Sequence, residues 1–298
     1  VNGEGIPRVA ILGLGIMGSA LARDAVRAGL KTSGWDRTYE KAAPLASERM
    51  RITRTAPEAA ADADVVVTMV ADAAAVMSVM RDGGAFAAMK PGAAWAQMAT
   101  IGVAGVERCM RLAETRPEVA FFDAPVIGSK VPAEEGKLVV LASGDRVRAS
   151  DALERFFGAI ASTVHWLGDA GQGMRMKLIF NTWIGFANQG LAEVATLADA
   201  LGVDRKRFAE IANGSPIVPP WVIGKLNRIV KGTFDAEFPL RWAEKDLRLA
   251  LEGAGPDRSR LPILADIDRL WAQAAKEFGD EDLSAIYLAL RRMPVTVG

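Results

Sequence analysis

The chain has one cysteine, one histidine and two tyrosines in 298 residues, and each scarcity removes a chemistry. Cys109 has no partner for an internal disulfide and falls in a helical pattern, which suits a reducing compartment. Cys109 and His165 are too few of the usual ligands for a zinc site, so no metal is expected. Charge of one sign is not in excess either. The 36 lysines and arginines balance 36 aspartates and glutamates, which argues against nucleic acid or an anionic membrane surface as a partner. No apolar run is long enough to span a bilayer, and the opening Val1-Asn2-Gly3-Glu4-Gly5 is polar rather than a signal sequence. A cytoplasmic protein with neither membrane nor nucleic-acid partners is expected. Tandem repeats and low-complexity linkers are missing too, and the alanine-rich stretches 59–63 and 73–75 read as helix packing.

What is present is a half-apolar chain of two textures, long enough for two domains with real cores. Up to residue 169 short apolar strands alternate with helical segments; from 170 to 298 nearly everything has helical spacing. The expected fold class is α/β: an N-terminal Rossmann, doubly wound domain over 1–169, then an all-α substrate and dimerisation domain over 170–298. A helical pattern from Lys177 to about Leu201 is long enough to join the two.

Arg8-Val9-Ala10-Ile11-Leu12 is a buried-type strand that ends in Gly13-Leu14-Gly15-Ile16-Met17-Gly18, and Ser19 to Ala28 is helical. In a strand–turn–helix of this kind the first glycine permits the tight turn. The second lets a pyrophosphate approach the backbone, and the third lets helix and strand pack closely. Amide groups at the helix start, around Ile16 and Met17, then face the phosphates of a dinucleotide. A second strand, Lys31 to Trp35, ends in Asp36-Arg37-Thr38, with Lys41 a turn further on. A carboxylate there accepts from the ribose 2′-hydroxyl of NAD, whereas arginine clasps the 2′-phosphate of NADP. Asp36 argues for NAD; Arg37, Thr38 and Lys41 argue for NADP. Asp64 to Val70 reads as a continuous strand whose carboxyl end brings Met69, Val70 and Ala71 to the ligand edge of the sheet. Thr100, after a strand at 93–98, is placed either to touch the nicotinamide side or to serve as a helix N-terminal hydroxyl.

Two further constellations carry polar groups. Gly128-Ser129-Lys130, after Ile127, forms a corner that could bind a carboxylate through backbone amides and a cation, or a hairpin-like loop facing solvent. Lys177 and Asn181 are four residues apart in a helical stretch and so project from one face, a cation and an amide aimed at one spot. Such a pair can bind a carbonyl oxygen and protonate a developing alkoxide; the plainer reading is a surface lysine lying along apolar neighbours. Asp246, after Phe238-Pro239-Leu240, is open to three readings: acceptor for the Lys177 amine, acceptor for a substrate hydroxyl, or half of a surface ion pair. His165, in a short strand, reads as structural.

These motifs in order resemble the β-hydroxyacid dehydrogenase family, of the 3-hydroxyisobutyrate dehydrogenase type, and within it the glyoxylate and succinic semialdehyde reductase branch. The matching residues are Gly13 to Gly18, Trp35 to Thr38, Asp123-Ala124-Pro125-Val126, Gly128 to Leu138, Gly171 to Asn181, Phe238-Pro239-Leu240, Lys245-Asp246 and Asp282-Leu283-Ser284. The resemblance implies an NADP-dependent oxidoreductase, NAD being the alternative, that interconverts a small aldehyde or keto acid and its hydroxy acid. It implies a homodimer or homotetramer with the active site in the cleft between domains. It also implies that Lys177 is the general acid or base and that Asn181 orients substrate. Thr100, Phe238, Lys245 and Asp246 then line the site, Lys245 toward the cofactor. Two departures stand out: Asp36 replaces the asparagine of an Asn-Arg-Thr triplet, and Ile127 replaces a serine of the substrate loop.

Rival schemes fit less well. Neither Tyr39 nor Tyr287 has a lysine four residues later, as the short-chain dehydrogenases require. An imine reductase, similar in fold, usually carries aspartate or tyrosine where this chain has Lys177. A non-catalytic, cofactor-bound scaffold would be expected to lack that lysine.

Overall fold

In a computed structural model, which describes residues 5–294, the chain divides into two compact units, 1–177 and 178–298. The polar opening noted above lies outside the described residues except for Gly5. Among the described residues no helix is long and apolar enough to cross a membrane, and no group of three or more histidine, cysteine or acidic residues could hold a metal ion.

The first unit is built on β1 (Arg8–Leu12), β2 (Lys31–Trp35), β3 (Met50–Ile52), β4 (Val65–Thr68), β5 (Ala94–Gln97) and β6 (Ala120–Asp123). They form one parallel sheet in the order β3-β2-β1-β4-β5-β6. A parallel sheet is covered on both faces, so its central strands must be apolar at every position. Val9 to Leu12 and Val65 to Val67 are accordingly wholly buried. The order reverses between β1 and β4, and ligands of doubly wound sheets bind at the carboxyl ends flanking such a reversal. A smaller sheet, β7 (Val126–Ile127), β8 (Leu138–Ala142) and β9 (Ala161–Trp166), follows, with β7 antiparallel and β9 parallel to β8. Phe122, Phe156, Phe157 and Ile160 join the two sheets' apolar residues in one core.

Two local expectations change. β4 ends at Thr68, so Met69 and Val70 lie past the strand rather than within it. The helix after β5 starts at Val103 with Gly102 as its N-cap, so Thr100 is not a helix-capping hydroxyl. The hairpin-like loop between the antiparallel β7 and β8 carries a short helix, Lys130–Glu134, directly after Ser129. His165 is exposed on β9.

The second unit is helical throughout: the bulk of the long helix Gln172–Ala200, then Arg205–Ala212, Pro220–Lys231, Leu240–Ala254, Pro262–Phe278 and Ile286–Arg292. The long helix begins five residues before the Lys177 start expected from periodicity. Leu226, Leu240, Leu247, Trp271 and Leu283 centre its core. Trp271 is fully buried, yet its indole N–H donates to Gln189 Oε1 at 2.8 Å, so no polar group is stranded by burying that ring. Gly185 lets helix Leu240–Ala254 lie close, because a Cβ there would come within 2.7 Å of Leu247 Cδ2.

Candidate functional site

At the carboxyl end of β1 the chain turns so tightly that only glycine fits. Gly13 has φ +102°, its N–H donates to Trp35 O at 2.8 Å, and a Cβ would meet Met69 O at 2.5 Å. A Cβ on Gly18 would fall 1.8 Å from Gly13 O, so this glycine sets how closely helix Ile16–Arg27 packs on the turn. Gly15 differs from both: nothing lies within 4 Å of its Cβ position, and as the N-cap it makes no side-chain cap bond. The helix start thus presents first-turn amides uncapped by any side chain, beside an open space bounded by bare backbone. That is a cradle suited to a pyrophosphate, and the residues present fit a dinucleotide. Ile16 is exposed and Met17 partly buried at this start. Met69 and Val70 flank the turn, and Ala71 is exposed beyond them.

Asp36 follows β2 directly and is half-buried. Its Oδ2 accepts from Leu14 N–H at 2.9 Å and its Oδ1 from Thr38 N–H at 3.0 Å, so the carboxylate braces the glycine turn against its own loop. Thr38 is half-buried, while Arg37 and Lys41 are exposed and reach no carboxylate among the described residues. Thr100 is half-buried just past β5, where the Gln97 side chain ties down Ala99 through its N–H and carbonyl.

The long helix is held at its start by two residues that no motif had singled out for a role. Gly173 N–H donates to Ser143 Oγ at 3.0 Å, and Met174 N–H donates to Asp123 Oδ2 at 2.7 Å. A helix leaves its first amides without partners, and an anion there also faces the positive end of the helix dipole. Gly173 permits the approach, since a Cβ would meet Leu141 O at 2.3 Å. Burial raises the Asp123 carboxyl to about 7, against the lowering effect of the Met174 and Ser143 hydrogen bonds and of Arg175. Lys177 follows Met174 by one turn and is itself buried, at 8% exposure, which rules out an ordinary surface lysine. In the same unit Ile127 and Ser129 are half-buried, and Gly128 adopts φ +128° against Leu138 and Pro132.

In the helical unit, Asn181 Nδ2 donates to Asp246 Oδ2 at 2.5 Å, both residues being buried. A carboxylate only accepts, so it dictates which way the amide points. Asn181 Oδ1 is left buried without a hydrogen-bond partner. Burial also removes the surface-pair reading of Asp246, although Lys245 Nζ lies 3.1 Å from its Oδ1. Phe238 sits in a loop moulded by Asp282, whose Oδ2 accepts from the N–H groups of Glu237 and Phe238 at 3.3 Å each and from Lys225 Nζ at 2.9 Å. Burial alone would raise the Asp282 carboxyl; Lys225 beside it, with hydrogen bonds from Lys225 and Ser284, holds it below the usual carboxylate range. Asp282 and Ser284 belong to a stretch the sequence made conspicuous, but Lys225 and Glu237 gave no signal.

Residues 8–168 match the NAD binding domain of 6-phosphogluconate dehydrogenase, and residues 171–290 match a second model, described as NAD-binding of NADP-dependent 3-hydroxyisobutyrate dehydrogenase. The chain is 31% identical to glyoxylate/succinic semialdehyde reductase 2, chloroplastic, of Arabidopsis thaliana, over 96% of this chain and 80% of that protein. It is 30% identical to cytokine-like nuclear factor N-PAC of Homo sapiens over 97% of its own length, and spans about half, 53%, of that longer protein. The crystal structure of 3-hydroxyisobutyrate dehydrogenase from Salmonella typhimurium superposes with a TM-score of 0.85 at 30% identity, covering 95% of this chain and 99% of that one.

Proposed function

The chain belongs to the β-hydroxyacid dehydrogenase family, and within that family we propose that it reduces a small aldehyde or keto acid to its hydroxy acid with NADPH, Lys177 being the proton donor. That it is an NAD(P)-dependent oxidoreductase of the hydroxyacid dehydrogenase type follows from membership. The observation that carries the finer reading is Lys177: a buried cation on a helix whose first turn is locked by Asp123 and Ser143.

A dinucleotide held at the Gly13–Gly18 turn would supply a hydride to the carbonyl carbon. As that bond forms, the carbonyl π pair moves to oxygen, and the Lys177 ammonium stabilises the charge and gives up one proton to it. Burial strengthens this, because a charge acts more strongly where water is excluded. Asn181, oriented by Asp246, keeps one amide hydrogen and its unpartnered Oδ1 for the reacting oxygen or a neighbouring hydroxyl. Thr100 in the first unit and Phe238 in the second are the further site residues of this reading. The working domains are 1–169 for the cofactor and 170–298 for the substrate and self-association.

NADPH is preferred over NADH in this reading because each Asp36 oxygen already accepts from a backbone N–H, of Leu14 or of Thr38, while Arg37, Thr38 and Lys41 offer donors to a phosphate. Ile127 supplies bulk and no hydroxyl, which favours a carbonyl compound larger or more apolar than glyoxylate. Self-association as a homodimer or homotetramer is supported by an exposed apolar row on the long helix, Ile179, Trp183, Val194 and Leu197.

A spectrophotometric screen of aldehyde and keto acids, each with NADPH and with NADH, tests the proposal. Dinucleotide oxidation by the wild type is expected with NADPH and at least one carbonyl acid; turnover of none of them would remove the reading.

A further inference from the structure

The sheet register brings a fourth side chain to the loop after β2. Thr32, Ser33 and Gly34 stand abreast of Met50, Arg51 and Ile52, so β3 ends beside β2 and Arg54 follows it by two residues at the carboxyl edge of the sheet. Thr53 fixes the chain there: its N–H donates to Gly34 O at 2.9 Å, and its hydroxyl donates to Thr55 O at 2.9 Å. From this anchored position the Arg54 guanidinium lies over the Tyr39 ring, 4.3 Å from the centroid. A guanidinium stacked on an aromatic face keeps its edge donors free while its long stem loses little further freedom on binding.

Electrostatics make the arrangement one-sided. Arg54, Arg37 and Lys41 are all exposed, and none of them pairs with a carboxylate among the described residues, Glu40 included. The acid at this edge, Asp36, is engaged by two backbone N–H groups. Three cations around one loop, with the Asp36 carboxylate held by backbone N–H groups, form a site for an anion of more than one charge.

We propose that Arg54, held by Tyr39, is a specificity-determining residue that donates from its guanidinium edge to the 2′-phosphate of NADP, beside Arg37 and Lys41. This rests on the NADPH preference argued above. The phosphomonoester is a near-dianion with three acceptor oxygens, and a planar fork of donors is the side chain that matches it.

Calorimetric titration of the ligand-free protein with adenosine 2′,5′-bisphosphate and with 5′-AMP tests this without turnover. Wild type is expected to bind the bisphosphate more tightly. Arg54→Ala should weaken the bisphosphate by about tenfold or more, the range of a hydrogen bond to a charged group, while 5′-AMP stays within about twofold. Tyr39→Leu, which keeps the cation and removes its platform, should weaken the bisphosphate by less and in the same direction. Arg54→Ala binding both ligands as wild type does, or losing both equally, would overturn the role of Arg54. Bisphosphate binding unchanged in Tyr39→Leu would overturn the role of the stack. If Arg37→Ala loses the bisphosphate and Arg54→Ala does not, only this inference fails; if wild type shows no preference for the bisphosphate, the NADPH reading fails with it.

Discussion

The Asp123 carboxylate accepts the amide hydrogen of Met174 at 2.7 Å across 51 residues of sequence, and so fixes the start of the helix on which Lys177 sits one turn later. Its ionisation is costly because burial opposes it. The folded carboxyl, near 7, lies above its unfolded value near 3.8, so between these values the native state holds the extra proton. Stability attributable to this group therefore falls as pH rises from about 4 to about 7 and is lowest above 7. Asp123→Asn removes the titration while keeping an oxygen to accept from Met174. The variant's melting temperature minus that of wild type should grow more positive from pH 5 to pH 8, and a difference independent of pH would sink the assignment. Asp123→Ala, which leaves the Met174 N–H unpaired, should cost about 1–3 kcal/mol in denaturant unfolding.

Lys177→Met keeps the length and apolar stem of the side chain and removes its charge and proton. Turnover is expected to fall by about a hundredfold or more, the usual loss of a proton donor and charge stabiliser. NADPH affinity, followed by quenching of tryptophan fluorescence, should stay as in wild type. Turnover that survives intact would mean that the proton comes from elsewhere.

Ile127 is half-buried before Gly128, whose positive φ presses the loop against Leu138 and Pro132. A serine hydroxyl there would bond a substrate carboxylate, and a hydrogen bond to a charged group contributes about 1.5–3 kcal/mol. Ile127→Ser is therefore expected to raise kcat/KM for glyoxylate and succinic semialdehyde by roughly ten- to a hundredfold. If wild type already reduces them efficiently and the substitution changes nothing, Ile127 faces away from the substrate.

The exposed row on the long helix gives the prediction about assembly. Ile179 and Trp183 are a helical turn apart, as are Val194 and Leu197, and Trp183 and Val194 are separated by whole turns, so they share one side, which a second copy can cover. Trp183→Asp together with Leu197→Asp should shift the protein to monomer in analytical ultracentrifugation while far-ultraviolet circular dichroism stays unchanged. A wild type that sediments as a monomer would show that the row serves something else.

Much of the cofactor half could be read from residues alone, because its physics is local. A strand buried on both faces must be apolar at each position, as Val9 to Leu12 and Val65 to Val67 are, and a turn with φ +102° must be glycine, as Gly13 is. The helical half announced itself by period 3.6 for the same reason. β3 escaped notice because three residues, Met50-Arg51-Ile52, are too short to establish a period, and its strand character comes from pairing with β2.

What tertiary structure alone decided is which polar groups meet. Residue type and position along the chain already marked Asp36, Lys177, Asn181 and Asp246 as candidates. They left Asp36 between two cofactors and Asp246 among three partners. Folding turned Asp36 onto the amides of Leu14 and Thr38, joined Asp246 to Asn181 across 65 residues, and closed Asp123 over Met174. The physical reason is that hydrophobic periodicity reports only whether a position faces a core. The partner of a buried polar group depends on which elements cross above it, and that is a property of strand order and helix packing.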